Sequence, residues 1–164
     1  MSFKQNFLGF TVLVLVCFSG CASAPIVEDE VFSVAVWDLV SYNQPGTDAS
    51  DLGDLLAARI IETLEDSGAY RVIERERLIL VLEELNLGTT NIVDESTRLK
   101  IGQILGARQM VFGSYLVIAD TMRLDLRLVD VETGNILKAT KKTASSTNVF
   151  EWLNIAREAA RDLI

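Results

Sequence analysis

The sequence predicts an α/β fold in which helices flank a mixed β-sheet. Over residues 32–106, apolar β-rich segments alternate with segments of helical periodicity, a pattern that favours parallel strands joined by helices. Later in the chain, strand-like segments follow one another with a tight turn between two of them, which favours antiparallel pairing. The predicted order is β-α-β-α-α-β-β-β-α, and residues 32–164 have the length of one domain.

The first strand and helix are predicted from a change of periodicity. Residues 32–39 form an apolar run rich in β-branched and aromatic residues, which is typical of a buried strand. Residues 41–50 contain the Asn, Pro, Gly and Asp of a loop. Helical spacing then begins at Asp51 and ends before Gly68. The apolar residues of this helix are Leu52, Leu55, Leu56, Ile60, Ile61 and Leu64.

Two more helices follow a short second strand at residues 70–73. Apolar residues recur at helical spacing over residues 78–85, until residues 88–91 (Gly-Thr-Thr-Asn) break the pattern. Asp94 or Ser96 can cap the third helix. This helix carries Ile101, Ile104 and Leu105 and is closed by Gly106.

The remaining elements are three strands and a final helix. Residues 109–118 are largely apolar and predict a central strand. Residues 122–131 alternate, with Met122, Leu124, Leu126 and Leu128 on one side and Arg123, Asp125 and Arg127 on the other. Residues 132–135 form a tight turn into a strand at residues 136–144. Asn148 then caps a helix whose apolar face comprises Phe150, Trp152, Leu153, Ile155, Ala156, Ala160 and Leu163.

The N-terminus has the pattern of an export signal. Residues 1–20 contain one cation, Lys4, an apolar run over residues 7–18 that is too short to span a bilayer, and then Ser-Gly. Cys21 follows, so the segment resembles the lipobox of bacterial lipoproteins. That resemblance implies a diacylglycerol on the Cys21 sulfur, cleavage before Cys21 and acylation of the new amine. The alternative is a chance cysteine near the end of an ordinary signal.

The predicted anchor also predicts a location. Residues 21–31 comprise the lipidated cysteine and a short tether, and residues 22–30 span about 30 Å at full extension. The domain would therefore stay close to the membrane. Ala22, where an Asp would signal retention at the inner membrane in diderm lipoproteins, favours the periplasmic face of the outer membrane by analogy.

The composition excludes several kinds of site. The chain has 164 residues, a formal net charge of −8 and no histidine, so His-based triads and His-ligated zinc are excluded. The only other cysteine, Cys17, lies in the predicted signal; with Cys21 lipidated, no thiol is left for a disulfide, nucleophile or metal site. The acidic charge argues against nucleic-acid binding. We expect no cofactor apart from the covalent lipid on Cys21.

Six blocks of sequence form a recognisable combination: residues 34–39, 72–78, 82–85, 101–107, 111–114 and 126–137. Together they resemble the periplasmic domain of the CsgG family, which contains the curli secretion lipoprotein; the outer-membrane activator of penicillin-binding proteins is similar in pattern. The resemblance covers about residues 32–145.

The chain departs from the curli channel where that protein carries two transmembrane β-hairpins. Here Ser114 leads to Met122 after a few residues, and the chain runs from Ala144 directly to Asn148. The hairpin of residues 122–144 has no aromatic girdle and carries Lys138, Lys141 and Lys142 on its second strand, so we expect soluble sheet. The resemblance therefore implies a CsgG-type domain that lacks the transmembrane hairpin insertions.

The resemblance also places a constriction loop at residues 41–46. In the curli channel a Tyr and an Asn of this loop line the export orifice, and Tyr42 and Asn43 fit that pattern loosely. Without a predicted pore, these two residues are candidates for a partner-contact loop, and a plain connecting loop is the alternative.

Acidic residues near the first strand are candidates for chemistry. Asp38 ends a buried strand, where α/β sheets often place functional carboxylates, and Asp48, Asp51 and Asp54 could supply oxygen ligands to Mg²⁺ or Ca²⁺. The alternative, a turn and an acidic helix N-terminus, is favoured. The alternating charges of residues 74–77 predict surface ion pairs. We therefore predict no catalytic residue and no metal site.

These observations predict a lipid-anchored periplasmic accessory or assembly protein that acts through contacts with envelope or secretion proteins. It would not be an enzyme, and self-association in a ring is a further expectation from the resemblance. The alternatives are a subunit of a curli-like export channel and an activator of a peptidoglycan synthase. A short tether disfavours the activator, because reaching far through the wall needs a long disordered linker.

Overall fold

The computed structural model describes residues 31–43, 49–85 and 94–164. The predicted signal peptide, Cys21, most of the tether, Asp48 and the break at residues 88–91 lie outside these residues. The described elements, in chain order, are β1 (Phe32–Val36), β2 (Val40–Ser41), α1 (Ala49–Asp66), β3 (Tyr70–Val72), α2 (Arg75–Glu84), α3 (Glu95–Leu105), β4 (Gln109–Ile118), β5 (Thr121–Asp130), β6 (Ile136–Ser145) and α4 (Val149–Asp162).

The strands form one mixed sheet in the order β3-β1-β4-β5-β6, which confirms the predicted fold class. β1 pairs in parallel with β3 and β4, whereas β4, β5 and β6 form an antiparallel meander. The prediction of one strand over residues 32–39 was wrong at its end. The strand stops at Val36, Trp37 donates its backbone N–H to Val111, and β2 then continues in parallel along β4.

The first face of the sheet is covered by α1 and α4. The alternation predicted for β5 is confirmed, since its four apolar residues on this face are at most 2% exposed. Leu56, Ile60 and Leu64 of α1 are fully buried against them. The prediction that Leu55 lies on the buried face of α1 was wrong, since this residue is 50% exposed. Each residue turns the helix by about 100°, so Leu55 points away from the buried stripe of residues 56, 60 and 64.

The second face is covered only in part. α2 and α3 pack over β1 and the beginning of β4, where they bury Trp37, Met110 and Phe112. Gly102 permits this approach, because a Cβ there would lie 2.5 Å from the Met110 sulfur. The β6 residues that project from this face are exposed, and none of the described helices lies over the end of the sheet at β5 and β6.

Local signals set the ends of several helices, as predicted. The Asp94 carboxylate accepts the Thr97 backbone N–H at 2.7 Å, and the Asn148 side chain accepts that of Phe150 at 2.9 Å. Gly106 ends α3 in the left-handed conformation with a φ of 72°. Within the described ranges, the helices are all too short or too polar to cross a bilayer.

Candidate functional site

The uncovered part of the second sheet face contains a groove of about 690 Å³. Its floor is formed by three neighbouring strands, and its two sides by α3 and by the segment after β2. Floor residues include Phe112, Ser114, Asp125, Arg127, Ala139 and Lys141. The volume lies in the range of pockets that bind ligands or peptide side chains.

Tyr42 lines this groove, and Asn43, the next residue, has a different role. The Tyr42 backbone N–H donates to the Tyr115 carbonyl at 3.0 Å, and Asn43 Oδ1 accepts the Val117 N–H at 2.8 Å. The Asn43 side chain therefore extends the pairing of β2 with β4 and holds the segment on the sheet. The Tyr42 side chain is 67% exposed at the edge of the groove. Of the two predicted contact residues, only Tyr42 has a largely exposed side chain.

Two arginines line the groove above aromatic rings. The Arg127 guanidinium lies 5.6 Å from the centre of the Phe112 ring and donates to Glu95 at 2.9 Å. Arg98 lies 5.5 Å from the centre of the Trp37 indole. Each contact of this kind adds about 0.5–1 kcal/mol at an exposed site and fixes the position of the cation. The groove therefore has cations held in place beside an apolar floor.

The remaining charges leave the groove cationic. Lys141 is exposed and has no ion-pair partner within the part of the chain that the structure describes. The one acid of the floor, Asp125, receives two hydrogen bonds of 2.7 Å from Arg123, which neutralise it. The lining of the groove thus has three cations and one acid, in a chain whose net charge is −8.

The acids near β1 form an ion cluster. Arg75 Nη2 lies 2.8 Å from both Asp38 Oδ1 and Asp54 Oδ1, and so connects the chain after β1 with α1 and α2. Burial raises the pKa of Asp38 above its usual value, and Arg75 opposes that rise. Arg75, one of the alternating charges for which ion pairs were predicted, forms them with partners that are distant in sequence. No group of three or more His, Cys, Asp or Glu side chains is placed to hold a metal in the described ranges.

The apolar face of α4 packs on the sheet rather than facing a partner. Ala156, Ala160 and Leu163 are fully buried, as predicted. Phe150, which was predicted on the same face, is 75% exposed at the N-terminus of the helix. Trp152 is half-buried and donates its indole N–H to the Ser146 carbonyl at 2.6 Å.

The cations of the groove were not predicted as a site. Arg127 was predicted only on the solvated side of β5, and Lys141 only as an argument against a membrane strand. The available signal was the polar alternation of β5, which is the middle one of three successive strands with no helix between them. Cys21, the predicted lipidation site, lies outside the described residues.

Comparison with known proteins gives one family match. The model of the family "Curli production assembly/transport component CsgG" matches residues 32–119. No curated protein has a significantly similar sequence.

Several solved structures share the fold at low sequence identity. The C-terminal domain of LpoB from Salmonella enterica has a TM-score of 0.59 at 16% identity, covering 70% of this chain and 83% of that one. A lipoprotein from Neisseria meningitidis has a TM-score of 0.57 at 17% identity, covering 80% and 96%. A PelC dodecamer from Paraburkholderia phytofirmans has a TM-score of 0.55 at 14% identity, covering 81% and 88%.

Proposed function

This chain belongs to the CsgG family, and from that premise we propose that it is a lipid-anchored accessory or assembly protein of the bacterial envelope, acting through protein contacts. The observation that carries the proposal is the cationic groove on the uncovered half of the sheet. The described helices cover one face of the sheet and part of the other, and the remaining sheet surface, with its ordered cations, is suited to a partner. Enzymatic chemistry has no comparable support, because Asp38 is held by Arg75.

The proposed membrane attachment is the lipid on Cys21. The support is the signal-like segment before Cys21 and the similarity of the fold to a structure described as a lipoprotein. One acyl chain binds a membrane only marginally, so the several chains of a bacterial lipoprotein would be needed. We place the domain at the periplasmic face of the outer membrane. In cell fractionation, Cys21→Ala should move to the soluble fraction; retention equal to wild type would contradict the anchor.

The packing of the hairpin favours an accessory protein over a pore-forming subunit. Only residues 119–120 connect β4 with β5, and the apolar side of β5 packs on α4. The lysines of β6 on that side bind the end of α4, since Lys142 lies 2.8 Å from Asp162 and Lys138 donates to Ile164. A lipid-facing surface is therefore not available on this side of the hairpin. A planar bilayer exposed to the purified chain should show no conductance steps.

A second candidate is a subunit of a closed ring. The similarity to the PelC dodecamer is the specific observation that favours it. Sedimentation of the full chain in detergent distinguishes the two: a single species of the monomer mass excludes a stable ring, whereas one discrete large species supports it.

The contact surface can be tested in intact cells with a photoreactive residue. Benzoylphenylalanine at position 42 would lie at the groove. The same residue at position 55 is the matched control, because Leu55 is equally accessible on the outer side of α1. We expect an adduct of defined mass from position 42 and none from position 55. Adducts of equal yield from both positions, or none from either, would contradict a contact at the groove.

A further inference from the structure

We propose that the groove binds an extended, acidic segment of a partner protein. This inference rests on the proposed function, because it specifies the chemistry of the partner that contacts the same surface. It follows from three features of the groove: the sign of its charge, the spacing of its cations and the shape of the floor between them.

The charge of the groove is opposite to that of the whole molecule. Lys141 projects from it without an ion pair within the described residues, and Asp125 is already paired with Arg123. Arg127 is paired with Glu95 at 2.9 Å, but the two side chains are 39% and 44% exposed, so this weak surface pair can exchange Glu95 for a carboxylate of the partner. The net charge of −8 would repel an acidic partner at any other approach. Attraction is therefore local, and it selects the position and register of the partner rather than increasing its rate of encounter.

The spacing of the cations matches an extended chain. In the β5–β6 register Arg127 is opposite Ala139 and Asp125 is opposite Lys141, so Arg127 and Lys141 are diagonal neighbours. Diagonal neighbours on one face of a sheet are about 7–8 Å apart. Alternate side chains of an extended peptide are about 6.8 Å apart and point to the same side. Two carboxylates at positions i and i+2 of a peptide would therefore reach both cations.

The floor between the cations permits a backbone to approach. Ala139 has only a methyl group; it is opposite Arg127 and two residues before Lys141 on the edge strand β6. Exposed apolar surface is available on both sides, from Tyr42 and from Ile136. A peptide that alternates acidic and apolar or β-branched residues fits these surfaces.

The test measures binding of a defined probe to the full chain in detergent. The probe is a fluorescein-labelled eight-residue peptide of alternating Thr and Glu, and its counterpart has Gln in place of Glu. Fluorescence anisotropy at about 50 mM salt reports the affinity, because exposed pairs weaken as salt rises. We expect the Glu peptide to bind at least tenfold more tightly than the Gln peptide.

Charge reversal on one strand supplies a matched pair of variants. Lys141→Glu places an acid in the groove, and Lys138→Glu makes the same change three residues away on the opposite face. The first should weaken binding of the Glu peptide about five- to tenfold, and the second less than twofold. A peptide of alternating Thr and Lys should in turn bind Lys141→Glu more tightly than wild type. Cooperative thermal unfolding of both variants shows that the fold is retained; Lys138→Glu should melt at a lower temperature than Lys141→Glu because it loses the hydrogen bond to Ile164.

Four results would overturn the proposal. They are equal losses in the two variants, equal binding of the Glu and Gln peptides, tighter binding of an oligogalacturonate than of the peptide, and self-association that Lys141→Glu abolishes. The third identifies an acidic glycan as the ligand, and the fourth a second copy of this chain. If position 42 still cross-links to another protein in cells when the peptide fails to bind, the proposed function stands and only the acidic partner is wrong.

Discussion

Replacing Gly113 by alanine tests how closely the segment before β2 packs on the sheet beneath the groove. An ideal Cβ at Gly113 would lie 2.4 Å from Leu39 Cδ2, 2.5 Å from Leu126 Cδ2 and 3.2 Å from the Asp125 carbonyl oxygen. Carbon contacts below 3.0 Å essentially do not occur in folded proteins. Both leucines would therefore have to move by about 1 Å, while the carbonyl is fixed in the paired strands β4 and β5.

The size of the effect follows from two opposed terms. Inserting a methyl group into a packed site costs about 1–3 kcal/mol, because neighbouring side chains leave their preferred rotamers. Alanine also stabilises the folded state by about 0.5–1 kcal/mol relative to glycine, because it loses less backbone freedom on folding. We expect Gly113→Ala to lower the free energy of unfolding by about 1–2 kcal/mol. For a domain of this size the melting temperature would fall by about 3–8 °C.

Thermal and urea unfolding followed by circular dichroism measure this change. Ser114→Ala is the control, because Ser114 is the next residue on β4 and its side chain makes no hydrogen bond within the described ranges. Its free energy of unfolding should remain within about 0.5 kcal/mol of wild type. If Gly113→Ala is as stable as Ser114→Ala, or more stable, the close contact with Leu39 and Leu126 does not exist in the folded protein.

Two other changes address the last helix. Asn148→Ala removes its N-cap, and urea unfolding should show a loss of about 1 kcal/mol that Thr147→Ala does not show; equal stability of the two variants would disprove the cap. Hydrogen bonds from Lys142 and Thr140 hold the pKa of Asp162 below its usual value of 3.8, so its stabilisation is present above that value and is lost as pH falls through the folded-state pKa. The melting temperature of Asp162→Asn should therefore fall less steeply than that of wild type below pH 4, and parallel acid profiles would contradict the pairing.

Sequence signals that act over a few residues predicted most of the fold. The alternation from Met122 to Leu128 fixed which side of β5 is buried, because successive side chains of a strand point to opposite faces. Asp94 and Asn148 were predicted as caps because a short polar side chain can accept the unpaired N–H groups of a helix start. Such interactions are specified by neighbours in the chain, so they can be read without knowing the tertiary structure.

Contacts between distant parts of the chain were not predictable in this way. Arg75 bonds Asp38 and Asp54, which are 37 and 21 residues away, although acids adjacent in sequence were available. The end of β1 at Val36 also depends on distant residues. Hydrogen bonds to β4 change the course of the chain there, and the chain then pairs with β4 as strand β2. The packing of the helices on the sheet decides which ion pairs and which strand pairs form between distant parts of the chain.

The groove itself is a consequence of chain order. Helices α2 and α3 are the only described elements that pack on the second face, and α3 must end beside the start of β4 because Gly106 is followed within three residues by Gln109. The turns of the meander are too short to contain a helix, so no described element covers β5 and β6 on that side. Alternating charged residues on β5 keep this surface hydrated. A partner that supplies carboxylates would therefore complete a layer that the described elements leave open.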